Sequence, residues 1–189
     1  MDQEKADVLA NKFKSITGIH CTATFMEKGI SHQPTTLGAG ERGVYVFLLN
    51  EKTCFKVGKA NINSTAMWNS HHYCLDKTTP STLTKSILND FENFKLHFKD
   101  KSVAEELELM GNVIKEYIHD ETDFRSTIKK LSKENVKELS ELLNLKEFIK
   151  SNISRIEYVI REECTDYALS LLEALIQYEL NPIYEGKNA

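Results

Sequence analysis

The sequence predicts an α+β fold in which a few short strands are interrupted by a long helical segment. Two apolar runs, residues 43–49 and 53–57, have the length of buried strands, and the polar residues between them supply a turn, so together they indicate a hairpin. Residues 154–160 alternate apolar and polar side chains, as in a strand with one buried face. In between, residues 91–150 place apolar side chains three and four positions apart, which is typical of amphipathic helices.

The first 41 residues are predicted to form an N-terminal appendage of one helix and one strand. Residues 2–16 carry apolar side chains at helical spacing, and Gly18 is placed to end that helix. Residues 19–26 then alternate in the manner of a short strand. A polar loop containing Gly29, Pro34, Gly38 and Gly40 leads to the next segment, so we expect the appendage to be separate from it.

Three further helices complete the predicted order of elements. Ser64 can cap a helix that runs to about Tyr73, and Pro80 with the serine after it opens another helix through Leu88. Residues 166–180 form a strongly apolar helix that the following Asn-Pro pair ends. With residues 91–150 set aside, the order is β-β-α-α-β-α, carried by residues 42–90 and 151–189.

Residues 91–150 are interpreted as a helical insertion. Their regular amphipathic spacing carries no recognisable chemistry, so packing on itself or on a partner protein is the first interpretation. The alternative is substrate recognition, since inserted segments often widen the contact surface of a small catalytic core. A third hypothesis makes the insertion a protein-interaction module and the rest of the chain its scaffold.

Length and hydropathy indicate a cytoplasmic protein with an ordinary hydrophobic core. The chain has 189 residues, of which 41% are hydrophobic, enough for one compact domain with an elaboration. No run approaches the roughly 18 apolar residues that span a bilayer, and the N-terminus alternates charges instead of resembling a signal peptide. The four cysteines are widely spaced, without a zinc-ligand pattern, and are expected to be reduced thiols.

Charge is unevenly distributed along the chain. The formal net charge is −4, yet residues 42–89 contain six basic and two acidic side chains, a local balance of 6 − 2 = +4. A basic segment in an acidic protein favours a phosphate-facing surface. A solvated surface with ordinary lysines is an equally good interpretation of charge alone.

Three short motifs together resemble the GIY-YIG superfamily of nucleases, in particular its restriction-enzyme-like and phage-defence-like members. They are Gly43-Val44-Tyr45, Lys56-Val57-Gly58 and, far downstream, Leu172-Glu173-Ala174-Leu175. The resemblance covers residues 43–90 and 153–186. It implies a small central antiparallel or mixed sheet flanked by helices, and a Mg²⁺- or Mn²⁺-dependent endonuclease that hydrolyses the phosphodiester bonds of DNA.

The resemblance assigns roles to particular residues. Tyr45 would lie beside the attacking water as general base or relay, and Lys56, where the family usually has tyrosine, could favour the phenolate. Glu173 would bind the metal ion, which needs few protein ligands because Mg²⁺ keeps most of its water. Without the joint pattern, Tyr45 would be interpreted as a core aromatic and Glu173 as part of a polar helical stripe.

The segment after Gly58 supplies the remaining candidates. His72, following the family's Ser-x-His-Tyr pattern, would bind the phosphate or accept a proton, whereas His71 is expected at the surface. Contacts to nucleic acid are expected from four other side chains of the basic segment: Arg42, Lys59, Tyr73 and Lys85.

Met67 departs from the family pattern. The family has arginine nine residues past the second glycine, and methionine cannot pair with a phosphate, a loss that commonly costs several kcal/mol of transition-state stabilisation. Three explanations follow: an engineered inactive variant, a natural relic that binds without cutting, or an active enzyme in which Lys59, Arg42 or Arg155 supplies the charge.

The competing function is a noncatalytic nucleic-acid-binding or regulatory protein. DNA is the expected partner, with a homodimer or a partner protein bound through the insertion.

Overall fold

The computed structural model consists of two compact units. It describes residues 1–50, 52–62, 64, 68–75, 82–117 and 124–184, with the backbone alone at 124–126. One unit comprises Met1–Ser70 and Phe148–Ala189, and the other comprises His71–Glu147. The first unit holds the sheet, and the second is helical. The four cysteines are free thiols, as predicted.

A four-stranded antiparallel sheet organises the first unit. Its strands are β1 (Thr22–Met26), β2 (Arg42–Asn50), β3 (Thr53–Ala60) and β4 (Ser154–Ile160), in the spatial order β1-β4-β2-β3. The predicted α+β class, the hairpin and the third strand are therefore confirmed. β1 comes from the predicted appendage and pairs with β4.

One face of the sheet packs against two helices, α1 (Gln3–Thr17) and the last helix of the chain, Asp166–Leu180. α1 begins at Asp2, whose side chain accepts the Lys5 N–H, and it ends at Gly18, whose φ of 75° favours glycine. Alternate residues of the strands point into this layer. The core here includes Leu9, Phe13, Val44, Val46, Ile156, Tyr158, Leu169, Leu172 and Ile176.

The remaining helices lie between β3 and β4 in the chain. Among the described residues, they are α2 (Leu83–Asn89), α3 (Phe91–Lys95), α4 (Lys101–Tyr117), α5 (Phe124–Lys130), α6 (Lys133–Leu143) and α7 (Leu145–Asn152), so the last helix, Asp166–Leu180, is α8. No described helix is both long and apolar enough to cross a membrane.

Two predicted helices differ from the observed backbone. The helix expected from Ser64 to Tyr73 is helical at residues 68 and 69 but is a turn from residue 70, and residues 65–67 lie outside the described part. α2 begins later than predicted, because Thr82 is its N-cap and accepts the Lys85 N–H through its hydroxyl. Pro80 and Ser81 lie outside the described residues.

The polar loop at residues 27–41 contacts β4 on the second face of the sheet. His32 Nδ1 lies 2.5 Å from the Ile153 carbonyl oxygen, and Thr35 donates its backbone N–H and its hydroxyl to Glu157 on β4. All seven residues of β4 are consequently buried. The prediction that this strand buries one face only is therefore wrong, because the loop supplies polar partners for its second face.

Candidate functional site

The two strand signatures meet in direct contact. Tyr45 on β2 is the cross-strand partner of Gly58 on β3, and its phenol ring lies over that glycine. A Cβ added at Gly58 would stand 2.4 Å from the phenol oxygen and 2.7 Å from Cζ, well inside van der Waals contact. The glycine of the second signature thus leaves the space that the tyrosine of the first signature fills.

Aromatic rings and a guanidinium group surround Tyr45. Phe47 and Trp68 contact it nearly edge-on, with centroids 6.0 and 6.1 Å away, and the Arg155 guanidinium carbon stands 5.7 Å from its centroid. Burial raises the pKa of the Tyr45 phenol well above its ordinary value; the Arg155 charge opposes this shift, and the Glu173 charge adds to it. The phenol is therefore neutral at physiological pH.

Glu173 on α8 forms an ion pair with Lys59 on β3. Lys59 Nζ lies 2.9 Å from Glu173 Oε2 and donates to the Ser170 hydroxyl at 2.9 Å. The side chains are 40% and 20% exposed, so this pair lies at the edge of the unit, within reach of solvent. Lys59 is the cross-strand partner of Val44, so the ion pair lies on the face of the sheet opposite Tyr45, although the Glu173 charge contributes to the raised pKa of the phenol.

Glu173 is the carboxylate that we consider as a ligand for a metal ion. Among the described residues, no group of three or more His, Cys, Asp or Glu side chains is arranged to hold a metal. A single carboxylate fits Mg²⁺, which keeps several waters and takes further oxygens from a bound phosphate. Lys59 competes for the same oxygen, so an ion bound to Glu173 would displace the ammonium group.

Arg155 and Glu157 form a fully buried ion pair beneath the site. Both side chains are 0% exposed, and Arg155 Nε lies 2.9 Å from Glu157 Oε1. Arg155 also donates to the Trp68 carbonyl at 2.8 Å, and its guanidinium carbon is 5.2 Å from the Phe47 centroid. The sequence indicated Arg155 only as a replacement for the missing arginine and gave no sign of its pairing with Glu157.

The other predicted residues of this unit are held by internal contacts. Lys56 is buried on β3 opposite Phe47, on the face that carries Tyr45. Arg42 donates to the Cys164 carbonyl and lies 3.4 Å from Asp166 Oδ1. Met67, where the resemblance leads us to expect arginine, lies outside the described residues.

Three predicted residues belong to the helical unit. His72 is fully buried, and its Nδ1 accepts the Leu83 backbone N–H at 3.0 Å, which satisfies a donor in the first turn of α2. Tyr73 and Lys85 are buried as well, and His71 is half-buried. In this structure their contacts are those of core residues, and their proposed part in nucleic-acid binding stays a prediction.

The hairpin has a second close contact, between Gly43 and Trp68, that was not predicted from the sequence. A Cβ at Gly43 would lie 2.5 Å from Trp68 Cζ3 and 2.7 Å from the Tyr158 carbonyl oxygen. Gly43 therefore lets the indole of Trp68 settle on the strand beside Tyr45. The first signature contains a clue to this contact. Its glycine precedes the tyrosine by two residues, so both residues lie on the same face of the sheet.

The chain matches no protein-family model, no curated protein and no solved structure. We therefore infer the function from the chemistry of these side chains and from their arrangement.

Proposed function

We propose that this chain is a GIY-YIG-type endonuclease that hydrolyses DNA phosphodiester bonds with the help of Mg²⁺ or Mn²⁺. One observation supports this most: the contact of Tyr45 with Gly58 joins the two signatures in one hairpin. The charge of Glu173, remote in sequence, adds to the raised pKa of the same phenol. The Tyr45 phenol extends over Gly58 on the edge strand β3, and Lys59, the next residue of that strand, holds Glu173 on the other face of the sheet. The α+β fold and its antiparallel sheet are compatible with the superfamily.

Each residue has a role that its surroundings permit. Glu173 would hold the metal ion, which would offset the negative charge that develops on the phosphate. Lys59, the more exposed partner of the ion pair, would leave Glu173 and contact a phosphate oxygen. Tyr45 would orient the attacking water through its phenol oxygen. Because its pKa is raised, the phenol is protonated and would not act as a preformed phenolate base.

Of the three cations proposed to replace the family arginine, Lys59 is best placed. Arg155 is fully buried and paired with Glu157, so it acts on the phenol and does not reach a phosphate. Arg42 is engaged by Asp166 and by the Cys164 carbonyl. Lysine lacks the bidentate geometry of arginine, and we therefore expect slow cleavage by the chain with Met67.

A noncatalytic nucleic-acid-binding protein is the second candidate function. The observation that favours it is the Lys59–Glu173 ion pair, which occupies the proposed metal ligand. Such a protein would bind DNA through its basic segment with an affinity that falls with salt, and it would not cut.

Cleavage of supercoiled plasmid, with Mg²⁺ or EDTA, separates the two candidates. We expect nicking that requires Mg²⁺, is lost in Glu173→Gln, and persists in Glu179→Gln. Glu179 is a matched control, because it lies on the same helix and pairs with Lys12 away from the site. Equal nicking by both variants would refute the role of Glu173. DNA binding without nicking by the unchanged chain, or by its Met67→Arg variant, would favour the second candidate.

A further inference from the structure

α8 has a second apolar surface on the side opposite the sheet. Tyr167 and Tyr178 are 87% and 84% exposed, although tyrosines contribute large apolar area when buried. Leu171 and Ala174 are exposed between them. The spacing of four, three and four positions puts all four on one helical face, as in a coiled-coil seam. We call this face the tyrosine stripe: Tyr167, Leu171, Ala174 and Tyr178.

The tyrosine stripe is symmetric about its own centre. Tyr167 and Tyr178 are equally distant from the midpoint between residues 172 and 173, and so are Leu171 and Ala174. When two such helices pack antiparallel about that midpoint, each Tyr167 faces the partner's Tyr178, and each Leu171 faces the partner's Ala174. A large side chain then opposes a small one at the centre, and the same surface serves both partners, as a two-fold interface requires. We propose that the tyrosine stripe is the interface of a two-fold homodimer.

Charges beside the tyrosine stripe are already compensated within the chain. α8 carries acidic side chains near both ends of the stripe, and two copies would bring these like charges together. Asp166 lies 3.4 Å from Arg42, and Glu179 pairs with Lys12. Glu173, farther round the helix, pairs with Lys59. Self-association therefore does not require uncompensated carboxylates to approach one another.

The area available predicts a weak dimer. A tyrosine buries about 150–250 Å², so two tyrosines with Leu171 give on the order of 500 Å² from each copy, or about 1,000 Å² in total. Interfaces near this size lie at the lower limit of specific association. Weak association is compatible with an interface of this size, and we expect a dissociation constant on the order of micromolar.

The dimer has a consequence that rests on the proposed nuclease function. The two-fold axis is perpendicular to both helices and to the line that joins them. Rotation about this axis keeps every residue on the same side of the plane that contains the two helices. Both Glu173 side chains consequently face the same side of the dimer. Two sites on one side suit a duplex, in which each site would cut one strand.

The test is sedimentation velocity of the 189-residue chain from about 1 to 500 µM, a range that brackets a micromolar dissociation constant. Tyr167→Lys/Tyr178→Lys places lysine opposite lysine at both ends and is expected to weaken association by at least about 100-fold. Tyr167→Glu/Tyr178→Lys places glutamate opposite lysine at both ends of an antiparallel pair. It is expected to associate at least about tenfold more tightly than the double-lysine variant. Val8→Lys, at an exposed position on α1, is the control and should not change association.

Each result decides the proposal without reference to cleavage. Concentration-dependent dimers that the double-lysine variant abolishes and the glutamate–lysine variant restores would support it. A chain that stays monomeric throughout, or a dimer that the double-lysine variant leaves intact, would overturn it. Equal weakening by both variants would overturn the antiparallel register. Because no DNA is present, a failed nuclease assay has no bearing on this outcome.

Discussion

Gly58→Ala tests the contact that joins the two signatures. The added methyl group would lie 2.4 Å from the phenol oxygen of Tyr45, 2.7 Å from Cζ and 2.8 Å from Cε2. An ordinary contact needs about 3.5 Å, so the ring would have to move by roughly 1 Å. Phe47 and Trp68 flank the ring, and Arg155 lies over it, which leaves little room for that movement.

The expected cost follows from two opposing effects. Overpacking of a well-filled site costs about 1–3 kcal/mol. Replacing glycine in a strand with alanine recovers about 0.5–1 kcal/mol by restricting the unfolded chain. The clash is the larger effect, and we expect Gly58→Ala to lower the free energy of unfolding by about 1–2 kcal/mol.

Urea unfolding measures this cost, and Tyr45→Leu supplies the decisive comparison. Leucine lacks the far end of the phenol ring, so Gly58→Ala should cost at least about 1 kcal/mol less in the Tyr45→Leu background. Gly38→Ala is the control, because its Cβ would meet only the flexible Glu41 side chain, at 3.2 Å. An equal cost of Gly58→Ala in both backgrounds would refute the contact between the signatures.

Three further predictions concern charges in the first unit. Lys59→Met should tighten Mn²⁺ binding about three- to fivefold in calorimetric titration, because an exposed ion pair is worth up to about 1 kcal/mol; unchanged affinity would contradict metal binding at Glu173. Glu157→Gln should lower the free energy of unfolding in urea by about 3 kcal/mol, because it leaves the buried Arg155 charge uncompensated, whereas replacing both partners by methionine should cost less. Burial lowers the pKa of His32 to about 4, so the unfolded chain binds more protons below pH 6.5, and stability falls as the pH drops from 6.5 towards 4. His32→Gln should remove about 2 kcal/mol of the loss between pH 7 and 5, and an unchanged slope in urea unfolding at the two pH values would contradict the buried neutral imidazole.

The strands and the two flanking helices could be predicted from local patterns. The hairpin followed from two short apolar runs around a polar turn, and α1 followed from helical spacing before Gly18. These patterns suffice to predict the elements, because the apolar residues of each buried face recur at helical or strand spacing within the element itself.

The second face of β4 could not be predicted in the same way. Arg155 and Glu157 alternate with apolar residues, which is the pattern of a solvent-facing side. They are buried because Thr35, from a loop far away in sequence, and the Trp68 carbonyl satisfy them. The sequence of a polar loop does not show which distant residues its side chains will bind.

The candidate site was predicted in part. The hairpin that carries both signatures was predicted, and within it the structure places Tyr45 and Gly58 in contact. The pairing of Glu173 with Lys59 was missed, because it depends on how α8 crosses β3. His72 was grouped with the site by motif order, whereas the structure gives it a capping contact in the helical unit.

We propose that Glu173 and Tyr45 serve metal-dependent DNA hydrolysis. The most direct test compares plasmid cleavage by Met67→Arg with cleavage by Met67→Arg carrying Glu173→Gln, each with Mg²⁺ or EDTA. We expect Met67→Arg to cut at least about 100-fold faster than the unchanged chain, since a lost phosphate contact costs about 3–4 kcal/mol. Glu173→Gln or EDTA should abolish this activity. Absence of cleavage by Met67→Arg under all conditions, or cleavage that does not depend on Glu173, would contradict it.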